Sequence, residues 1–160
     1  MKKTITLTLK EAKELYLKAD NIFKSFLETN FSKKDLIYDI CERITSLEDV
    51  FEYLEEDIND YLLFDLDIKD KRKRYLNACS LIPKIVECYN EKQKLNWDSL
   101  DCKYLPYYKK SDSGWVFLDF SDWGSYAYGS ACHHYKSQKL CIKGMKTFNK
   151  IYLDYYSYQG

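Results

Sequence analysis

The chain has 160 residues, 46% apolar and 31% charged, with 25 basic side chains against 25 acidic ones. That length and balance give one domain, or a domain with a helical annex, and exclude a disordered chain. No stretch approaches the roughly 18 apolar residues of a bilayer span, and Lys2 and Lys3 lead into an alternating run, not a secretory leader.

A cytoplasmic protein with six reduced cysteines is therefore expected. Its charge is uneven: residues 1–70 hold 10 Lys and Arg against 17 Asp and Glu, and residues 71–160 hold 15 against 8. The sequence reads as an acidic helical part over 1–70 and a basic, aromatic-rich part over 71–160, packed as one unit. A basic half is where an anionic ligand would sit, although such charge also serves solubility.

Taken in chain order, Ile5 to Leu9 alternates apolar residues with Thr, the period of a short strand. Thr8 and Glu11 have capping-box spacing. Behind them Ala12, Leu15, Tyr16, Ala19, Ile22, Phe23, Phe26 and Leu27 predict one long amphipathic helix. Ser32 with Asp35, and Ser46 with Asp49, predict two further helix starts. The acidic run from Glu55 to Asp70 lacks a period and reads as an irregular connection with room for a helical turn.

Tyr75, Leu76, Cys79, Ile82, Val86 and Tyr89 predict a helix that Pro83 either kinks or restarts. From Lys103 onward the texture changes, with 15 aromatic residues in 58 positions, ten of them Tyr. "KYLPYY" and "WVFLDF" predict strands joined by a turn at "SDSG". "KLCIK" reads as a last strand, and Gly144 as the break before a final helix carrying Met145, Phe148, Ile151, Tyr152 and Tyr155. The predicted class is α+β: helices, then a Tyr/Trp-rich antiparallel sheet with a C-terminal helix packed on it.

Several blocks, "ITLTLKEAKELY", "ERITSLEDVFEYL", "KLNW", "KYLPYY", "SGWVF" and "LCIKG", occur in an order that resembles a group of small proteins of phages and prophages of gut Bacteroidota. The match covers nearly the whole chain. The resemblance implies an α+β accessory protein of a mobile element and carries over no catalytic residue. The chain departs from the group at Leu95-Asn96-Trp97, at Lys139-Leu140-Cys141, and at His133 and His134.

Chemistry-bearing residues concentrate in residues 119–144. Cys132, His133, His134 and Cys141 lack the paired spacing of a zinc site, and Cys102 would join them only through the fold. A Cys–His nucleophile needs an oriented pair in a cleft, which adjacency in sequence does not supply. No phosphate-loop, dinucleotide or nucleophile-elbow motif occurs. Catalysis through Cys132, His133 or His134 is thus an alternative, and no metal or cofactor is expected.

The leading expectation is a non-catalytic binding protein. Tyr107, Trp115, Trp123, Tyr126 and Tyr128 could stack on a base, and Lys109, His134, Lys136 and Lys143 could pair with phosphate. Ser125, Gly129 and Ser130 would leave room for a ligand near the backbone. Lys143-Gly144 before the last helix could seat an anion. The ligand would be a nucleotide-like small molecule, for instance an immune second messenger, or the partner a host defence protein; an aromatic sheet face also suits a homo-oligomer. Single-stranded nucleic acid is disfavoured by the neutral net charge and the acidic N-terminal half.

Overall fold

A computed structural model describes residues 7–37, 39–96, 102–112, 114–123 and 131–158, with the backbone alone for 118–123 and 131. The chain divides into two compact units, Met1–Arg43 and Ile44–Gly160.

The first unit is built from α1 (Leu9–Lys18), α2 (Asn21–Glu28), α3 (Lys33–Leu36) and α4 (Ile40–Arg43). Residues 5 and 6 of the expected first strand lie outside the described residues, and Leu9 itself opens α1. The capping box forms: Thr8 accepts from the Glu11 N–H, and Glu11 accepts from the Thr8 N–H at 2.9 Å. The single helix expected beyond it is two. Ala19 is extended, and Asp20 caps α2 by accepting from the Phe23 N–H at 2.8 Å. A short acceptor competing for backbone donors interrupts an otherwise continuous apolar stripe. Ser32, expected as a cap, makes no side-chain cap bond, and α3 is a single turn. Ala12, Leu27 and Leu36 form the buried centre of this unit, with Leu7, Tyr16 and Phe31 packed against it.

The second unit opens with α5 (Leu47–Leu54), whose capping box pairs Ser46 with Asp49. The acidic connection holds one 3-10 turn, Ile58–Asp60. Helix α6 (Lys71–Tyr89) starts at Asp70, which accepts from the Lys73 N–H, and runs unbroken through Pro83 with no restart. It buries Ala78, Leu81, Ile82, Ile85, Val86 and Tyr89.

Strands β1 (Lys103–Ser111) and β2 (Gly114–Trp123) pair antiparallel, with Tyr108 opposite Phe117 and Lys110 opposite Trp115. A bulge between Tyr107 and Tyr108 offsets the register. Gly114 closes the turn at a φ of 113°, a region that disfavours a side chain. Segment 134–136 then returns alongside β1, where Tyr104 and Tyr135 exchange both backbone hydrogen bonds at 2.8 and 3.0 Å.

"KLCIK" is not a strand: it lies in α7 (Gln138–Thr147), capped by Ser137, and the last helix is α8 (Asn149–Tyr156). Leu140, Cys141, Gly144 and Met145 are all buried, a helical spacing that the short apolar run Leu140-Cys141-Ile142 conceals. Gly144 sits inside α7 because the Tyr135 ring lies on it; a Cβ there would come within 2.9 Å of the Tyr135 Cζ.

Helices α7 and α8 pack on the sheet. Tyr108 stacks on Tyr156 at 4.7 Å between ring centroids and bonds Asn149 through its hydroxyl, while the Tyr156 hydroxyl donates to the Pro106 carbonyl. Helix α8 also packs on α6, where the Arg74 guanidinium meets Asp154 at 2.9 Å and Tyr75 stacks on Tyr155. Among the described residues, Tyr89, Tyr135 and Tyr152 are the largest fully buried side chains. The architecture is α+β, helices followed by a small antiparallel sheet with C-terminal helices packed on it. Among the described residues no helix is long and apolar enough to cross a membrane.

Candidate functional site

The second unit holds a cleft of about 560 Å³ where α6 ends, lined by the last turns of α6, residues 92–95, Cys132 and His134. It begins at Asn90, the residue after the α6 apolar stripe. The buried Asn90 amide donates to the His134 carbonyl at 2.9 Å and accepts from the Lys136 N–H at 2.8 Å. This clamp fixes the end of α6 to segment 134–136.

Glu91 and Lys92 then adopt left-handed conformations, with φ of 56° and 59°. Each costs a non-glycine residue about 1–2 kcal/mol. The surroundings compensate. The Glu91 N–H donates to the Cys88 carbonyl at 2.8 Å and the Lys92 N–H to the Glu87 carbonyl at 3.0 Å, which uses free carbonyls at the helix end. The Glu91 carboxylate pairs with Lys136. The Lys92 Nζ donates to the Leu54 carbonyl at 3.3 Å and lies over the Tyr53 ring. Strain held in place by its surroundings is often found where a surface binds something.

The cleft has an apolar floor of Pro83, Val86 and Leu95 and a rim of Lys84, Lys92 and Lys94 against one carboxylate, Glu87. Lys84 sits between Glu56 and Glu87, 2.9 Å from each, with its Nζ over the Tyr61 ring. Burial works against its charge, but the hydrogen bonds to Glu87 and Glu56 outweigh burial and hold its pKa above the usual lysine range. Lys92 and Lys94 are exposed at the mouth. The arrangement can take a molecule with an anionic end and an apolar or planar body.

Of the residues singled out in the sequence, His134 lines this cleft and is fully buried. Lys136 lies beside it, engaged with Glu91 and 3.4 Å from the Gln93 side chain. Tyr107 and Lys109 lie on the exposed face of β1, Tyr107 at 53% exposure, with Val116 opposite Lys109. Trp115 stands opposite Lys110, so it points to the other face of the hairpin. The set of stackers and phosphate partners is therefore not one surface. Trp123 ends β2, its side chain among those not described, and Tyr126 and Tyr128 lie outside the described residues with Ser125, Gly129 and Ser130. Lys143 and Gly144 lie in the middle of α7, where backbone N–H groups belong to the helix, so the expected anion seat before the last helix does not form.

Cys132 is exposed at the cleft, whereas Cys41, Cys88 and Cys141 are buried. Among the described residues no three His, Cys, Asp or Glu side chains are grouped to hold a metal. His133 sits edge-on to Tyr155 at 5.3 Å, and burial, then the neighbouring His134, lower its pKa. Sequence reasoning missed Asn90, Lys92 and Lys94. The available signal was the polar run "NEKQK" directly after an apolar helical stripe; without glycine, its left-handed turn is hidden.

No family model matches the chain, and no curated protein and no solved structure is significantly similar to it. The class defined by the geometry is thus its architecture, an α+β protein with a lysine-rimmed cleft.

Proposed function

We propose that the protein is a non-catalytic binding protein that holds a phosphate-bearing small molecule of nucleotide size in the cleft beside Asn90. One observation carries this reading: an apolar floor under three lysines, in a space of about 560 Å³. That size lies within the roughly 300–1,000 Å³ of small-molecule pockets. Lys94, and Lys92 whose Nζ also reaches the Leu54 carbonyl, supply the charge, since Lys84 is shared between two carboxylates. The resemblance to small phage proteins supports an accessory role in the bacterial cytoplasm, with sequestration of a nucleotide signal as the counter-defence activity.

Native mass spectrometry of the purified protein mixed with a nucleotide pool tests this. The expected result is a retained nucleotide-sized mass that disappears in the Lys92→Ala, Lys94→Ala double variant and persists in Cys132→Ser. A chain that ignores the pool, or binds equally well without these lysines, overturns it. Loss of binding in Cys132→Ser would instead favour thiol chemistry.

A second reading, attachment to a host protein, is favoured by the first unit. Leu17, Ile22 and Phe26 are 64%, 83% and 55% exposed, and Phe23 and Phe26 stack beside an apolar groove. Exposed large apolar side chains beside such a groove mark contact sites. Ile22→Asp and Phe26→Asp would abolish such a complex and leave nucleotide retention unchanged.

A further inference from the structure

We propose that a second groove in the Ile44–Gly160 unit, where α5 starts beside α6 and α8, binds a protonated amine carried on an aliphatic body. The groove encloses about 370 Å³ over a buried apolar floor of Ala78, Leu81 and Phe148. It is independent of the phosphate reading of the other cleft.

Its walls are built in advance. The Asn77 carbonyl oxygen accepts from the Leu63 and Phe64 N–H groups at 3.1 and 3.0 Å, and its amide donates to the Phe64 carbonyl at 2.7 Å. That side chain ties the acidic connection to α6. Thr45 and Ser46 of the lining are held by Asp49, one of whose oxygens accepts from the Thr45 N–H, the Thr45 hydroxyl and the Ser46 N–H at 2.9, 2.7 and 3.1 Å. A ligand entering such a groove incurs little ordering cost.

Charge selects the ligand. Arg74 is committed: its Nε donates to Asp154 at 2.9 Å and its Nη1 to the Lys69 carbonyl at 2.7 Å. The remaining charged side chains of the lining are Glu48 and Asp67 against Lys150. The excess is negative, and Asp49 and Glu48 already occupy the first turn of α5 where an anion would otherwise gain from the helix dipole. Glu48 and Asp67, both exposed on the lining, supply the negative charge for an ammonium group whose aliphatic part covers the floor. Lys150 decides the source: it repels a plain alkylamine and attracts the carboxylate of an amino acid.

The test is a nitrogen-15-edited titration of the full chain with n-butylammonium chloride, with norvaline, and with 1-butanol as the uncharged control. The inference expects saturable shifts at the Asp67 and Ile151 amides with one of the two amines, none saturable with 1-butanol, and affinity at least about tenfold weaker in the Glu48→Gln, Asp67→Asn variant. Tighter butylammonium binding in Lys150→Gln assigns the site to a monoamine; weaker norvaline binding assigns it to an amino acid. Absence of saturation with both amines overturns the inference. So does binding unchanged in the double variant, once a thermal melt shows that variant folded.

Discussion

The hydroxyls of Tyr135 and Tyr152 lie 2.5 Å apart, and both side chains are sealed from solvent. One ring comes from the segment beside β1 and the other from α8, so this bond joins the sheet to the last helix. Each phenol is the other's buried partner. Tyr135→Phe or Tyr152→Phe alone leaves a hydroxyl unsatisfied and is expected to cost about 1–3 kcal/mol. The double variant should cost less than the sum, because two apolar rings of the same shape leave no orphan. Urea unfolding of the four proteins in a double-mutant cycle measures this, and strictly additive losses would contradict it.

Gly144 and Tyr135 form a close approach that one methyl group should spoil. Gly144→Ala places a Cβ against the Tyr135 ring and hydroxyl. Overpacking of this kind costs about 1–3 kcal/mol. Because the hydroxyl is the nearest atom, Tyr135→Phe in the same chain should recover part of the loss. Thermal midpoints of the single and double variants decide whether it does.

Glu55 offers the opposite case. It ends α5 in the left-handed region, φ 62°, where its N–H donates to the Glu52 and Phe51 carbonyls. A glycine adopts that conformation without steric penalty. Glu55→Gly is expected to stabilise the protein by up to about 1 kcal/mol. A denaturant midpoint that moves down would mean that the glutamate side chain outweighs the strain.

Buried phenols predict an alkaline limit. Burial raises the pKa values of Tyr108, Tyr135, Tyr152 and Tyr156 above the ordinary 10.0. Below pH 10 each is neutral both folded and unfolded. Above it only the unfolded chain ionises, so stability is full below about pH 10 and falls as pH rises further. Tyrosinate absorbance should appear together with loss of helical circular dichroism, not ahead of it. On the acid side His133 behaves inversely. Its lowered pKa means stability present above about pH 6.5 and lost as pH falls, and His133→Phe should flatten the profile on the acid side while keeping the ring against Tyr155.

Two of the three expected cap pairs, Thr8–Glu11 and Ser46–Asp49, were legible in the sequence as local chemistry, whereas Ser32 makes no cap bond. The hairpin was legible because "KYLPYY" and "WVFLDF" carry β-forming residues around a turn. Helix α7 was not. Its burial pattern depends on Tyr135 occupying the space over Gly144, and that is settled by tertiary packing. The cleft was half legible: His134 and Lys136 stood out by type, but their partners Asn90 and Glu91 are over forty residues away and marked by no motif.

The Asn90 amide also does something that a helix end seldom does. Tyr135 uses its own backbone N–H and carbonyl on Tyr104, so the flanking His134 carbonyl and Lys136 N–H point the other way, as in any antiparallel ladder. Asn90 meets both with a side-chain amide that imitates one peptide unit of a neighbouring strand. Segment 134–136 is thereby hydrogen-bonded along both sides, and the end of a helix closes a sheet margin that would otherwise be open to strand exchange between molecules.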